Sequence, residues 1–166
     1  MTKDNLLQFK EVVDEEIKAY EDMEKLYQLK QAVLIQGKSD ILWDVDAKII
    51  SKMATIRELH SARKGVAGYL GNENMTMTEA IEKAKNSNNK LVNNLQTQKE
   101  KLNVLSGSIS LYEKTNMELI RHGLTMVGKT LNILVNTFLP QPNEYNNLGK
   151  NVGNEEMQIS SVIEEA

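Results

Sequence analysis

The chain has 166 residues, 40% apolar and 26% charged, with a net charge of −3, the profile of one soluble domain with a hydrophobic core. It contains no cysteine, which excludes disulfides, thiolate metal sites and cysteine nucleophiles, and the slightly acidic balance argues against a nucleic-acid-binding surface. Two isolated histidines, His60 and His122, are too few for a metal centre or a catalytic triad, so no enzyme activity, cofactor or metal site is expected. Only two prolines, nine glycines and 5% aromatics leave little for the turns and cross-strand pairs of a sheet. The first ten residues lack the apolar run of a signal peptide. The most apolar stretch, Leu124 to Leu139, is interrupted by Lys129, Asn132 and Asn136. A span of roughly 20 apolar residues is therefore missing, and the chain is expected in the cytoplasm without stable membrane insertion.

In chain order, residues 3–36 carry a stripe with helical spacing: Leu6, Phe9, Val13, Glu16, Tyr20, Met23, Tyr27, Lys30 and Leu34. Seven of these nine positions are apolar, which predicts a long amphipathic helix packed on a partner. Gly37 supplies a left-handed stop, Ser39 is placed to accept the first free amides of the next helix, and Asp40 sits at its positive end. Gln36 to Asp40 thus reads as a tight turn between antiparallel helices. The second stripe is Val45, Ile49, Lys52, Ile56, Leu59, Arg63, Val66 and Leu70, ending among Gly65, Gly68 and Gly71. Thr76 and Glu79 have capping-box spacing, which predicts a short helix from about Thr78 to Asn86.

The last helix is expected to start among Ser87, Asn88 and Asn89, with a stripe of Leu91, Leu95, Gln98, Leu102, Leu105, Ile109 and Tyr112. Its phase slips near Asn116 and continues through Ile120, Leu124, Val127, Leu131, Leu134 and Phe138. Fifty residues make a rod of about 75 Å, with Ser106-Gly107-Ser108 as the place for a kink or break. Pro140 ends it. Residues 140–166 carry five Glu against one Lys, and Ile159, Val162, Ile163 and Ala166 keep helical spacing within a piece too short to fold alone. The expected fold is therefore all-α: an elongated antiparallel bundle of three long helices plus one short helix, with a flexible C-terminal tail. Residues 1–139 form the bundle domain, and 140–166 a mobile acidic tail with a short amphipathic segment.

Gly123-Leu-Thr-Met-Val-Gly128-Lys129-Thr130 matches the phosphate-loop pattern letter for letter. That chemistry needs a loop after a buried strand, whereas the surrounding pattern is helical and no later strand carries an acid for magnesium. Nucleotide binding is not expected. His60 and His122 read as solvated surface residues, and Asp14-Glu15-Glu16 as a solvated face, although Glu16 interrupts the stripe as a polar core position would. Trp43 is expected to cap the end of the bundle core, with a partner contact as the alternative. The apolar residues of Leu124–Leu139 cover more than one stripe. Either two neighbouring helices enclose them, or they form an exposed groove for an amphipathic helix of another protein.

The opening helix leading to Lys30 and the Gln36-Gly-Lys-Ser-Asp40 turn, then a helix with Arg63 near its end, resemble the FlgN family of flagellar export chaperones. So do Asn88-Asn89-Lys90-Leu91 opening the last helix, Asn116-Met-Glu-Leu-Ile120 within it, and Tyr145-Asn-Asn-Leu-Gly149 after the apolar stretch. The resemblance implies a cytosolic chaperone for hook-associated proteins, the subunits of the hook–filament junction. It would hold their helical terminal segments, prevent premature assembly, and deliver them to the export gate of the type III apparatus without a cofactor. On this reading Leu124, Val127, Leu131, Leu134 and Phe138 form an apolar floor, Tyr145 and Leu148 add contacts, and Ile159, Val162 and Ile163 become ordered by the client. The alternative function is a structural coiled-coil protein that self-associates through its stripes.

Overall fold

The computed structural model describes residues 3–85 and 89–138, and every element among them is helical: α1 (Lys3–Gln36), α2 (Ser39–Tyr69), α3 (Met77–Lys85) and α4 (Asn89–Phe138). Three long helices and one short one are as the periodicity predicts. No strand occurs among the described residues. The chain divides between Met117 and Glu118 into two units, which are taken separately.

Within the first unit, the glycine stops act as their sequence suggests. Gly37 adopts φ +66°, donating its N–H to the Leu34 carbonyl (3.2 Å) while Lys38 N–H reaches the Val33 carbonyl (3.2 Å). These two bonds satisfy the orphan carbonyls at the end of α1. Gly71 repeats the device after α2 at φ +104°, with Gly71 N–H on Gly68 and Asn72 N–H on Ala67. Gly65 lies inside α2 and does not end it. Ser39, however, does not cap α2. The tight reversal spends only Gly37 and Lys38, so Lys38 occupies the cap position, no side chain bonds the free amides, and Ser39 is already helical. At α3 the capping box closes in both directions: Thr76 N–H to the Glu79 carboxylate at 2.8 Å, and Glu79 N–H to Thr76 Oγ1 at 3.2 Å.

Polar pairs fix the directions. Lys30, Asp22 and Glu16 of α1 meet Asp46, Lys52 and His60 of α2, so the two helices run antiparallel. Asp14, Glu24 and Tyr27 of α1 meet Gln98, Ser108 and Asn116 of α4, so these two run parallel. The larger core gathers Leu6, Phe9 and Val13 with Val66, Leu70, α3 and Leu95; a smaller one holds Met23, Val33, Val45 and Ile49. Full burial of a side chain such as Phe9 stabilises by roughly 1.5–3 kcal/mol. Met77, Ala80, Ile81 and Ala84 put one face of α3 into the larger core. α4 passes unbroken through Ser106-Gly107-Ser108, where Ser108 donates its hydroxyl to the Glu24 carboxylate.

One expectation fails clearly. Trp43 does not cap the core; it is 80% exposed. At 100° per residue it stands 200° from Val45, on the side of α2 that faces away from α1.

Candidate functional site

In the second unit, the described part is the end of α4, Glu118–Phe138. Leu124, Val127, Leu131, Leu134 and Phe138 follow one another three or four apart, so the helix carries them on one side. All five are exposed, from 45% at Leu134 to 76% at Phe138, and exposed Met126 and Ile133 widen the surface. The threonines between them do not offer their hydroxyl hydrogens outward. Thr125, Thr130 and Thr137 donate to the carbonyls of Arg121, Met126 and Ile133 at 2.7–3.0 Å, four residues back along the helix. What remains is mainly a methyl and thioether surface. Arg121 and Lys129 supply fixed positive charge, and no acidic residue lies from 119 to 138. Such a surface can receive an apolar helix face by burial. Tyr145, Leu148, Ile159, Val162 and Ile163, expected to join it, lie outside the described residues.

The phosphate-loop letters Gly123–Thr130 are helical throughout. Their amides are therefore engaged along the helix rather than turned towards an anion, and the Thr130 hydroxyl is spent on Met126. His122 is exposed, and no cluster of metal-binding residues occurs among the described residues.

The first unit contains a different polar centre. Glu16 is 1% exposed, with Oε1 2.9 Å from His60 Nδ1 and Oε2 3.2 Å from Arg63 Nε. The second approach is poorly aligned, leaving Oε2 without a hydrogen bond among the described residues, so that contact is mainly ionic. Arg63 Nη2 also lies 2.9 Å from His60 Nε2 and 3.5 Å from its Nδ1. His60 is thus a solvated residue, its side chain 45% exposed, that also faces a buried carboxylate. A cleft of about 290 Å³ adjoins this set, bordered by Tyr20, Lys99 and Leu102. Burial, together with the Glu16 charge and against that of Arg63, pushes the Tyr20 hydroxyl up from its ordinary value. His60 is engaged between the Glu16 carboxylate and the Arg63 guanidinium. Lys99 is engaged as well, donating to Thr78 Oγ1 at 2.8 Å. The centre ties α1 to α2.

Asp14 and Gln98 form a second tie. Gln98 donates to the Lys10 carbonyl at 3.1 Å and to the Asp14 carboxylate, which also pairs with Lys10 at 2.6 Å. Burial pushes the Asp14 carboxyl up, but these hydrogen bonds and the charges of Lys10 and Lys18 outweigh it and hold it below the usual range. Glu16 is therefore not part of a solvated acidic face, whereas Asp14, its side chain 42% exposed, remains on one. Equal spacing about the turn was the available signal, since Glu16 and His60 each stand 22 residues from Lys38.

Against known proteins, residues 1–153 match the family model described as FlgN protein. No curated protein and no solved structure matches the chain.

Proposed function

The chain belongs to the FlgN family, whose members are flagellar export chaperones, and from that premise we propose which clients it holds and where. The clients are hook-associated proteins. The chaperone binds their helical terminal segments in the cytoplasm, prevents premature assembly, and delivers them to the type III export gate. Leu124, Val127, Leu131, Leu134 and Phe138 are the floor on which a client helix lies. Tyr145 and Leu148 add to it, and Ile159, Val162 and Ile163 are ordered by the bound client. The observation that carries this reading is the exposure of the whole apolar strip on the last turns of α4.

A client destined for export must be kept apart from its neighbours and then released. Binding by apolar burial in a helix-on-helix arrangement meets both needs, because affinity is set by a few anchors rather than by a covalent or metal bond. Arg121 and Lys129 favour a client helix with acidic residues beside its apolar face.

The test is co-purification with a hook-associated protein and with its isolated terminal segment. Changing Leu131 and Phe138 together to Ser removes two anchors worth about 1–3 kcal/mol each, so affinity should fall by at least roughly tenfold. Helical content and unfolding temperature should stay as in the parent. Undiminished binding, or a double variant that unfolds, would show that this strip is not the client floor.

A further inference from the structure

α2 carries a second apolar face that the first unit does not use. Its core-facing stripe runs through Val45, Ile49 and Ile56, while Trp43, Ala47, Ile50 and Ala54 lie on the opposite side and are all exposed, Ile50 at 68%. Their spacings of four, three and four are those of a coiled-coil seam. Asp40 precedes this seam and Arg57 follows it at the same heptad positions. Both are exposed, and neither has an ion-pair partner among the described residues.

We infer that this face, Asp40 to Arg57, is the contact of a weak, closed, antiparallel dimer in which α2 of one chain lies along α2 of a second copy. A twofold axis between Ala47 and Ile50 sets every large seam residue against a small one. Trp43 covers Ala54 of the second copy, and Ile50 covers its Ala47. Asp40 meets the second copy's Arg57 at each end of the seam, pairing opposite charges. No like charges meet in the seam itself, and the flanking Asp44 and Asp46 fall near Met53 and Ser51, respectively, of the other chain. A parallel pairing would instead stack Trp43 on Trp43, Asp40 on Asp40 and Arg57 on Arg57. The self-complementarity of size and charge selects a second copy as the occupant and fixes its direction.

The area sets the strength. Each Trp43 brings about 150–250 Å² to the contact. A seam of three turns stays below the roughly 1,200 Å² of standard stable interfaces, so the dimer forms only at high concentration. Being isologous it closes on itself and stops at two chains.

Sedimentation of the full chain between about 5 and about 500 μM should show a reversible passage from monomer towards dimer, and nothing larger. Trp43 is the single tryptophan, so its fluorescence should shift to the blue over the same range. Ala54→Glu and, independently, Trp43→Lys should weaken association at least tenfold without loss of helical content. Asp40→Arg should weaken it less, and Asp40→Arg combined with Arg57→Asp should restore it. A monomer throughout, association indifferent to both Ala54→Glu and Trp43→Lys, or failure of the charge exchange to restore it would overturn the inference. So would Trp43 becoming covered only when a client segment is added to a chain that remains monomeric.

Discussion

Leu95 and Leu131 are the same residue type, on the same helix, each at a stripe position, yet Leu95 is 0% exposed and Leu131 49%. Leu95 belongs to the core shared with Leu6, Phe9 and α3. Around Leu131 the side chains of the helix are almost all exposed, and its polar groups bond back to their own backbone. An amphipathic pattern therefore states that a helix face has use for a partner. It does not state that the partner belongs to the same chain.

Mutations can break or sharpen that contrast. The largest loss is expected from Arg63→Ala, which leaves the buried Glu16 carboxylate with His60 alone and should cost about 3–5 kcal/mol. The melting temperature would fall by about 6–20 °C at roughly 2–4 °C per kcal/mol. Next, Leu95→Ala should cost about 2–5 kcal/mol, whereas Leu131→Ala should stay within about 0.5 kcal/mol, both read by urea titration. Equal losses would show that the exposed strip is as much a core as the region around Leu95. Gly37→Ala meets open space but must hold φ +66°, so a loss of about 1 kcal/mol is expected.

The smallest effect is one of acidity. Asp14 has its folded carboxyl pKa lowered, so its contribution is present above the unfolded value near 4 and is lost as pH falls through the folded value. Asp14→Asn should therefore flatten the stability loss on acidification below about pH 4, measured by urea titration at several pH values.

Much of the architecture was legible because it follows from local chemistry. Gly37, Gly71 and the reciprocal Thr76–Glu79 pair act through bonds within a few residues, and the stripes through Val45–Leu70 and Leu91–Tyr112 needed only helical geometry. What the stripes did not show are partners distant in sequence. His60 lies off the main stripe, and only the register across Gly37 brings it to Glu16. Asp14 acquires its partner 84 residues later, at Gln98. Trp43 was misplaced for another reason: its place near the first turn of α2 suggested the end of the core, while its angle from Val45 placed it outside. Of the candidate floor, the stripe from Leu124 to Phe138 could be read from periodicity. Its exposure could not, because exposure depends on contacts between residues distant in sequence.

The parallel pairing of α1 with α4 has a kinetic consequence. The reversal at Gly37 joins α1 to α2 by neighbours in sequence, but Glu24 and Tyr27 find Ser108 and Asn116 only after 84 and 89 further residues. Loop closure makes such distant meetings slow relative to a hairpin. During synthesis the end of α2, Tyr69, precedes Leu95 by 26 residues. For that interval the nascent chain carries Leu6, Phe9 and Val13 without their final cover, so it is itself, for a time, a sticky unfinished subunit in need of shelter.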